Sequence, residues 1–269
     1  MLDKTNRQGK TRLDLALDRI KLFEPPDGYY LAFSGGKDSI VIKELCDMAG
    51  VKYDSHYHIT TVDPPELIDF IKKYHSDVER KHSLYDDGSR VTMWNLIRKK
   101  RFPPTRRIRY CCKYLKEGNG VGRFVITGVR WAESWSRKTK RAGLEMAESK
   151  TRSRMLDPDN PQNSAMARFC PTKSSHILNP IIDWEDEDVW EFIKMRDLPY
   201  CSLYDEGFKR IGCIACPMSS KRNEQLERYP KIKKAYIKTF DDMLIEREKA
   251  GQDSHWNSGE DVMKWWVDK

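Results

Sequence analysis

Two groups of residues in this chain could do chemistry. The first is Ser34, Gly35, Gly36, Lys37, Asp38 and Ser39, "SGGKDS", between the apolar run "YYLAF" and a helix-like pattern of Val41, Leu45 and Met48. Glycines let a backbone turn tightly and approach an oxyanion closely. A helix starting there offers free amides and the positive end of its dipole. A lysine and hydroxyls add charge-assisted contacts. The six residues therefore suit a phosphate group. The second group is Cys111-Cys112 and Cys213-x-x-Cys216. Four thiolates suit zinc or an iron–sulfur cluster, while a CxxC alone also fits a redox pair. Adjacent cysteines are less usual zinc ligands, because their side chains diverge.

The plainer reading of "SGGKDS" is a strand-to-helix turn with Asp38 or Ser39 as a cap. A Walker A loop does not fit: Leu31 stands at its first glycine position and Asp38 follows the lysine. The dinucleotide pattern G-x-G-x-x-G is also absent.

The elements around these residues alternate. Leu13, Leu17 and Ile20 mark a helix over 10–23, and "EPPDG" breaks the chain before the "YYLAF" strand. Residues 51–60 read as a second strand, and Asp63 can cap a helix opened by "DPPEL". A third strand is expected near "SDVER", a helix over "VTMWNLIRKK", and strands at "RFVITG" and "HILNPII". "DWEDEDVWEFIKM" predicts a helix with acids in its first turn, and 222–249 one interrupted at Pro230 and ended by Gly251. Residues 132–175 are polar, basic and poorly periodic, which predicts an inserted mobile loop. Strands alternating with helices predict an α/β fold, a mostly parallel sheet with helices on both faces. Its ligands belong beyond the carboxyl ends of strands, where "SGGKDS" lies. The expected division is an N-terminal helical segment (1–27), a main domain (28–220) and a C-terminal helical extension (221–269).

Composition narrows the partners. The 269 residues are 39% hydrophobic and 33% charged, as in a globular soluble chain. No apolar run approaches the ~20 residues of a membrane span. The start "MLDKTNRQGK" lacks the apolar core of a signal peptide, so a cytoplasmic protein is expected. Seven cysteines without an export signal do not suggest a disulfide framework. A net charge of +8 favours an anionic partner, nucleotide or nucleic acid, although a solvated basic surface gives the same number. "RKKRFPPTRRIRY" (98–110) holds seven arginines and lysines just before the cysteine pair. Trp131 and Trp135 could stack on a base or simply fill the core. Cys46 fits a core position, and Cys170 and Cys201 are further thiols near the motifs.

The full string resembles the PP-loop, S-G-G-x-D-S, of the adenine-nucleotide alpha-hydrolase-like proteins, which include ATP pyrophosphatases, tRNA-thiolating enzymes and sulfonucleotide reductases. "RYCCKYLK" (109–116), "TGVRWAES" (127–134), "NPIIDWEDEDVWEFI" (179–193) and "YDEGFKRIGCIACP" (204–217) resemble, in order, blocks of the phosphoadenosine-phosphosulfate (PAPS) reductase family. The resemblance covers about residues 28–218 and implies the Rossmann-like adenine nucleotide alpha-hydrolase-like fold. It implies that Ser34, Gly35, Gly36, Lys37, Asp38, Ser39, Gly128 and Arg130 bind an adenine nucleotide: ATP, adenylyl sulfate (APS) or PAPS. Gly128 and Arg130 would lie near its phosphates, with Arg137 a further candidate there, and Lys37, Asp38 and Arg130 would carry the catalysis.

In assimilatory APS reductases a similar Cys-Cys plus Cys-x-x-Cys set holds a 4Fe–4S cluster. The resemblance therefore implies such a cluster, in preference to zinc, at Cys111, Cys112, Cys213 and Cys216. One departure matters. The family's reductases carry a catalytic cysteine in a C-terminal E-C-G-[LI]-H tail, whereas the last cysteine here is Cys216 and the chain ends "GEDVMKWWVDK". The expectation is then closer to the DNA-phosphorothioation proteins: an ATP pyrophosphatase or adenylating enzyme, using Mg²⁺, that supports sulfur transfer to DNA or tRNA. Its sulfur donor would be a protein such as a cysteine desulfurase. The alternatives are an APS or PAPS reductase served by thioredoxin, with Cys170 or Cys201 as nucleophile, and a noncatalytic nucleotide- or nucleic-acid-binding subunit. Homodimers are common among the relatives.

Overall fold

The computed structural model describes residues 2–3, 5, 9–116, 120, 122–147, 153–160, 162–163 and 176–268. The chain divides into two compact units. The first comprises Met1–Tyr57, Asp69–Arg80 and Gly120–Lys209, the second His58–Ile68, Lys81–Asn119 and Arg210–Lys269.

The strands β1 (Tyr29–Ala32), β2 (Tyr53–His58), β3 (Glu79–Lys81), β4 (Phe124–Ile126), β5 (Leu144–Ala147), β6 (Ser153–Leu156) and β7 (His176–Leu178) form one sheet, ordered β3-β2-β1-β4-β7-β5-β6. β1 runs parallel to β2 and β4, and β4 parallel to β7, with Leu31 opposite both Ser55 and Ile126. The fold is thus α/β with a mostly parallel sheet. Tyr29, Tyr30 and Leu31 point alternately to opposite faces yet are all buried, so both faces are covered at β1. On one of them the Tyr29 hydroxyl donates to the Ile20 carbonyl of α1 (Arg12–Leu22).

The topology locates a site without reference to any motif. From β1 the chain steps outward to β2 and β3, then returns to the other side of β1 at β4. The order reverses between β1 and β4, and ligands of such sheets lie in the crevice beyond the strand ends at that point. Residues 34–39 leave β1 there, and residues 127–130 leave β4 there. Helix α2 (Lys37–Ala49) begins at the first of these exits and ends on Gly50, whose φ of 69° is left-handed.

Part of the chain expected to be an insertion has more order than its polar sequence suggests. Trp131–Glu133 forms a 3-10 turn, Trp135–Lys140 a short helix, and β5 pairs antiparallel with both β6 and β7. The hairpin reaches the sheet through Leu144 and Met146, both buried, opposite Leu178 and His176. Two apolar anchors are too few for a periodicity to show. Trp131 and Trp135 are 37% and 78% exposed, so neither is core.

The second unit is helical around its own core. Helices α4 (Met93–Lys100), α5 (Tyr110–Leu115), α9 (Pro230–Lys249) and α10 (Gly259–Asp268) enclose Leu96, Leu115, Tyr236, Phe240 and Trp266. Among the described residues no helix is long and apolar enough to cross a membrane.

Candidate functional site

The PP-loop is closed by its own hydroxyls. The Ser34 amide and hydroxyl each donate to Ser39 Oγ over 3.2 Å, and Ser39 Oγ donates to the Gly36 carbonyl over 2.8 Å. Gly35 has φ +71°, where a side chain would be strained. Gly36 caps α2 with no side chain of its own. Of the amides at this helix start, that of Lys37 donates to the Tyr204 hydroxyl at 2.9 Å. Those of Gly35 and Asp38 have no partner among the described residues. They leave two backbone donors free at the positive end of the α2 dipole.

Beneath the loop lies a four-charge network. Arg130 is fully buried, and each of its nitrogens is engaged: Nε donates to Asp38 Oδ1 (2.7 Å), Nη1 to the Trp184 carbonyl (3.1 Å) and Nη2 to Asp186 Oδ1. Burial works against the Arg130 charge, but Asp38 and Asp186 outweigh it and raise its pKa. Burial likewise pushes the Asp186 carboxyl up, and its hydrogen bond from Arg130 with the charge of Lys37 brings it below its ordinary value. The Lys37 ammonium is held more loosely, 3.7 Å from Asp38 Oδ2 and 3.5 Å from Asp186 Oδ1. Two cations and two carboxylates balance, so the network carries no surplus charge.

The structure brings Gly128 to this network for a steric reason. A Cβ there would lie 2.8 Å from the backbone carbon and oxygen of Asp38. The β4 exit therefore presses on the first turn of α2, and only glycine fits. Gly128→Ala is expected to destabilise the protein by about 1–3 kcal/mol through overpacking. Thermal unfolding measures this, and an unchanged midpoint would show that the loop yields freely. Arg137, the further candidate, instead pairs with Glu133.

Two residues here escape motif reasoning. Asp186 opens helix α7 (Asp186–Met195), and Tyr204 lies in a 3-10 turn, its ring packed edge-on to Trp190 at 5.1 Å. Both fall inside the sequence blocks quoted above, but nothing in spacing shows that one meets Arg130 and the other the Lys37 amide.

The cysteine group lies wholly in the second unit. Cys111 and Cys112 sit on α5, while Cys213 and Cys216 span a turn in which the Cys216 amide donates to the Cys213 carbonyl at 3.2 Å. Ala215 in that turn has φ 57°, a left-handed conformation rare for alanine. It is pinned there: its amide donates to Gln225 Oε1 (2.9 Å), and the Ile214 amide to the Val62 carbonyl (2.8 Å). All four cysteines are free thiols. The Cys111 thiol donates to Cys112 and, with Arg109 at 3.3 Å, holds Cys112 well below the ordinary thiol range. The same hydrogen bond and burial push Cys111 far up. Burial raises Cys213, opposed by Lys116, whose own pKa rises beside Cys213 and Asp63.

Among the described residues no three histidine, cysteine or acid side chains converge as a single metal ion would require. Zinc gathers its sulfurs around one point at about 2.3 Å, whereas a 4Fe–4S core takes each thiolate at a different iron. The four thiols, two on α5 and two on the 213–216 turn, with Arg109 and Lys116 beside them, fit the larger, anionic group as a donor set. Cys46 and Cys201 are fully buried in the first unit, and Cys170 lies outside the described residues.

A parallel sheet with an oxyanion-suited loop at its switch point defines a nucleotide-binding α/β protein of the PP-loop type. The chain belongs to the phosphoadenosine phosphosulfate reductase domain family, whose model matches residues 28–219. An uncharacterized protein of Methanocaldococcus jannaschii is 28% identical over 82% of this chain and 48% of its own length. An adenosine 5'-phosphosulfate reductase of Staphylococcus epidermidis is 30% identical over 39% of this chain and 36% of its own. The chain thus spans about half the length, or less, of these curated relatives. A phosphoadenylyl-sulfate reductase structure from Candida auris aligns over 74% of this chain and 87% of its own, with a TM-score of 0.47 and 15% identity.

Proposed function

We propose that the chain is an ATP pyrophosphatase that adenylates an acceptor for sulfur transfer, the acceptor being a nucleic acid. The observation that most supports this is the pair of unspent amides, Gly35 and Asp38, beside a loosely paired Lys37. A triphosphate placed there would accept both amides and draw the ammonium from its carboxylates. Asp38 stays fixed by Arg130, so the helix start keeps its shape as Lys37 moves. Mg²⁺ would offset the phosphate charge, and Asp38 and Asp186 are the carboxylates on hand for it.

The acceptor oxygen attacks the α-phosphorus, the bond to the bridging oxygen breaks, and pyrophosphate leaves. The terminal sulfur of a persulfide on a donor such as a cysteine desulfurase then attacks the activated atom of the acceptor and AMP leaves, and a second thiol of the donor attacks the S–S bond, leaving the sulfur on the acceptor and the donor as a disulfide. The four thiols of the second unit are proposed to hold a 4Fe–4S cluster.

Family membership favours a second reading, reduction of APS or PAPS with thioredoxin. That reaction needs a thiolate that reaches the sulfate sulfur. The described thiols of the PP-loop unit, Cys46 and Cys201, are buried, and burial pushes Cys46 well above its ordinary value.

Anaerobically purified protein separates these readings. Pyrophosphate release from ATP that falls by about 100-fold or more in Ser34→Ala/Asp38→Asn supports the first, given the usual cost of removing preorganised charge stabilisation. Sulfite release from APS or PAPS would establish the second. Neither product with any adenine nucleotide would leave a noncatalytic binding subunit.

A further inference from the structure

We infer that the second unit carries a docking surface for a single-stranded polynucleotide, running from the C-terminal end of α4 across Phe102 to the loop at 105–108. This names a surface for the acceptor proposed above and rests on that reading only for why a strand should bind.

The charge is concentrated and little opposed. No acid occurs between Asp87 and Glu117, a stretch that includes Arg98, Lys99, Lys100, Arg101, Arg106 and Arg107. Two clefts of about 290 and 320 Å³ share Arg98, Lys99 and Glu246 in their walls, and Arg101 and Lys249 line the second. Of the four acids on α9, Asp242 lies 4.0 Å from Arg98 and Glu246 2.9 Å from Lys249. Further along, Pro103 and Pro104 stiffen the chain, and the Thr105 amide donates to the Ile108 carbonyl at 3.0 Å. That turn presents Arg106, Arg107 and Ile108 outward, Ile108 being 50% exposed. Among the described residues Arg106 and Arg107 make no ion pair.

Aromatic rings interleave with the cations. Phe102, Trp256 and Trp265 form a half-buried triad with centroids 4.9–5.9 Å apart. Arg247 lies 5.9 Å over Trp256 and donates to the Arg101 carbonyl at 2.9 Å, so the triad adjoins the cationic clefts. Partly bare rings beside a cationic track suit unstacked bases and a phosphate backbone. An acidic peptide would use the cations and leave the rings idle. A duplex would offer no base faces.

Fluorescence anisotropy with a labelled oligodeoxythymidine 20-mer, without ATP, tests the surface. Binding should weaken with salt, and the exposed Arg98→Glu/Lys99→Glu variant should bind about tenfold or more weakly, with a log–log salt slope shallower by roughly 1.4 units for two lost phosphate contacts. Trp256→Leu should weaken binding with the salt slope unchanged. Equal affinity of wild type and the charge variant would overturn the proposal. So would a matched duplex binding as tightly, or equal competition by polyglutamate. Pyrophosphate release from ATP is assayed separately: if it persists while oligonucleotide binding fails, the surface falls and the ATP reading stands.

Discussion

Arg130→Leu is expected to lower stability at pH 7 by about 3–4 kcal/mol and to abolish turnover at the PP-loop. Removing one partner of a buried ion pair costs about 3–5 kcal/mol when the orphaned charge stays buried. Here water reaches both carboxylates: the Asp38 side chain is 22% exposed and that of Asp186 63%. The electrostatic part therefore lies below that range. Arg130 itself is fully buried, and its loss also orphans the Trp184 carbonyl and leaves a partly filled cavity. At roughly 2–4 °C per kcal/mol for a chain of this size, the midpoint should fall by roughly 6–16 °C.

The pH dependence checks the cause. Asp186 has a lowered pKa in the folded state, so its contribution is present above the unfolded carboxylate value, about 3.9, and is lost as pH falls through the folded value. The gap between wild type and variant should narrow below about pH 4. A constant gap down to pH 3 would mean that packing, not charge, dominates. Arg130→Lys should rescue little, because an ammonium cannot bridge two carboxylates and a carbonyl as a planar fork does.

The same network shows what could be read from the sequence. The turn and helix start at "SGGKDS" were legible because glycine conformation, hydroxyls and a helix start all fall within six residues, whereas its nucleotide role rests on the resemblance. The strand and helix alternation was legible because burial imposes a period. Arg130 could be named from its block, but its engagement with Asp38 and Asp186 joins residues 92 and 56 positions apart. No periodicity encodes such a meeting. Gly128 is the sharper case. Resemblance alone marked it as a phosphate neighbour, and the structure supplies a steric reason for glycine, the close approach of the Asp38 backbone. Tyr204 went unnamed because a phenol capping a backbone amide has no spacing signature. The hairpin at β5 and β6 was hidden by its polar, basic residues.

The cysteines carry the second large prediction. Anaerobically isolated protein should show broad visible absorption and about four irons and four sulfides per chain, and Cys213→Ser or Cys111→Ser should lose nearly all of each. The turn geometry supplies the argument. Ala215 in the left-handed region costs of order 1–3 kcal/mol, which persists only where surrounding contacts over-determine it. Gln225, Val62 and Tyr236 supply those contacts, the Tyr236 hydroxyl reaching the Ile214 carbonyl at 3.4 Å. Aiming two sulfurs from one short turn is a reason to bear that strain. Ala215→Gly relieves it and should retain the iron, while Gln225→Ala loosens the turn and should lower the iron content with the thiols intact. Arg109 and Lys116 would steady the anionic core, so Lys116→Glu should make the iron more labile to a chelator. Protein isolated with one zinc per chain and no visible absorption would exclude the cluster, and iron retained by Cys213→Ser would remove that residue from the ligand set.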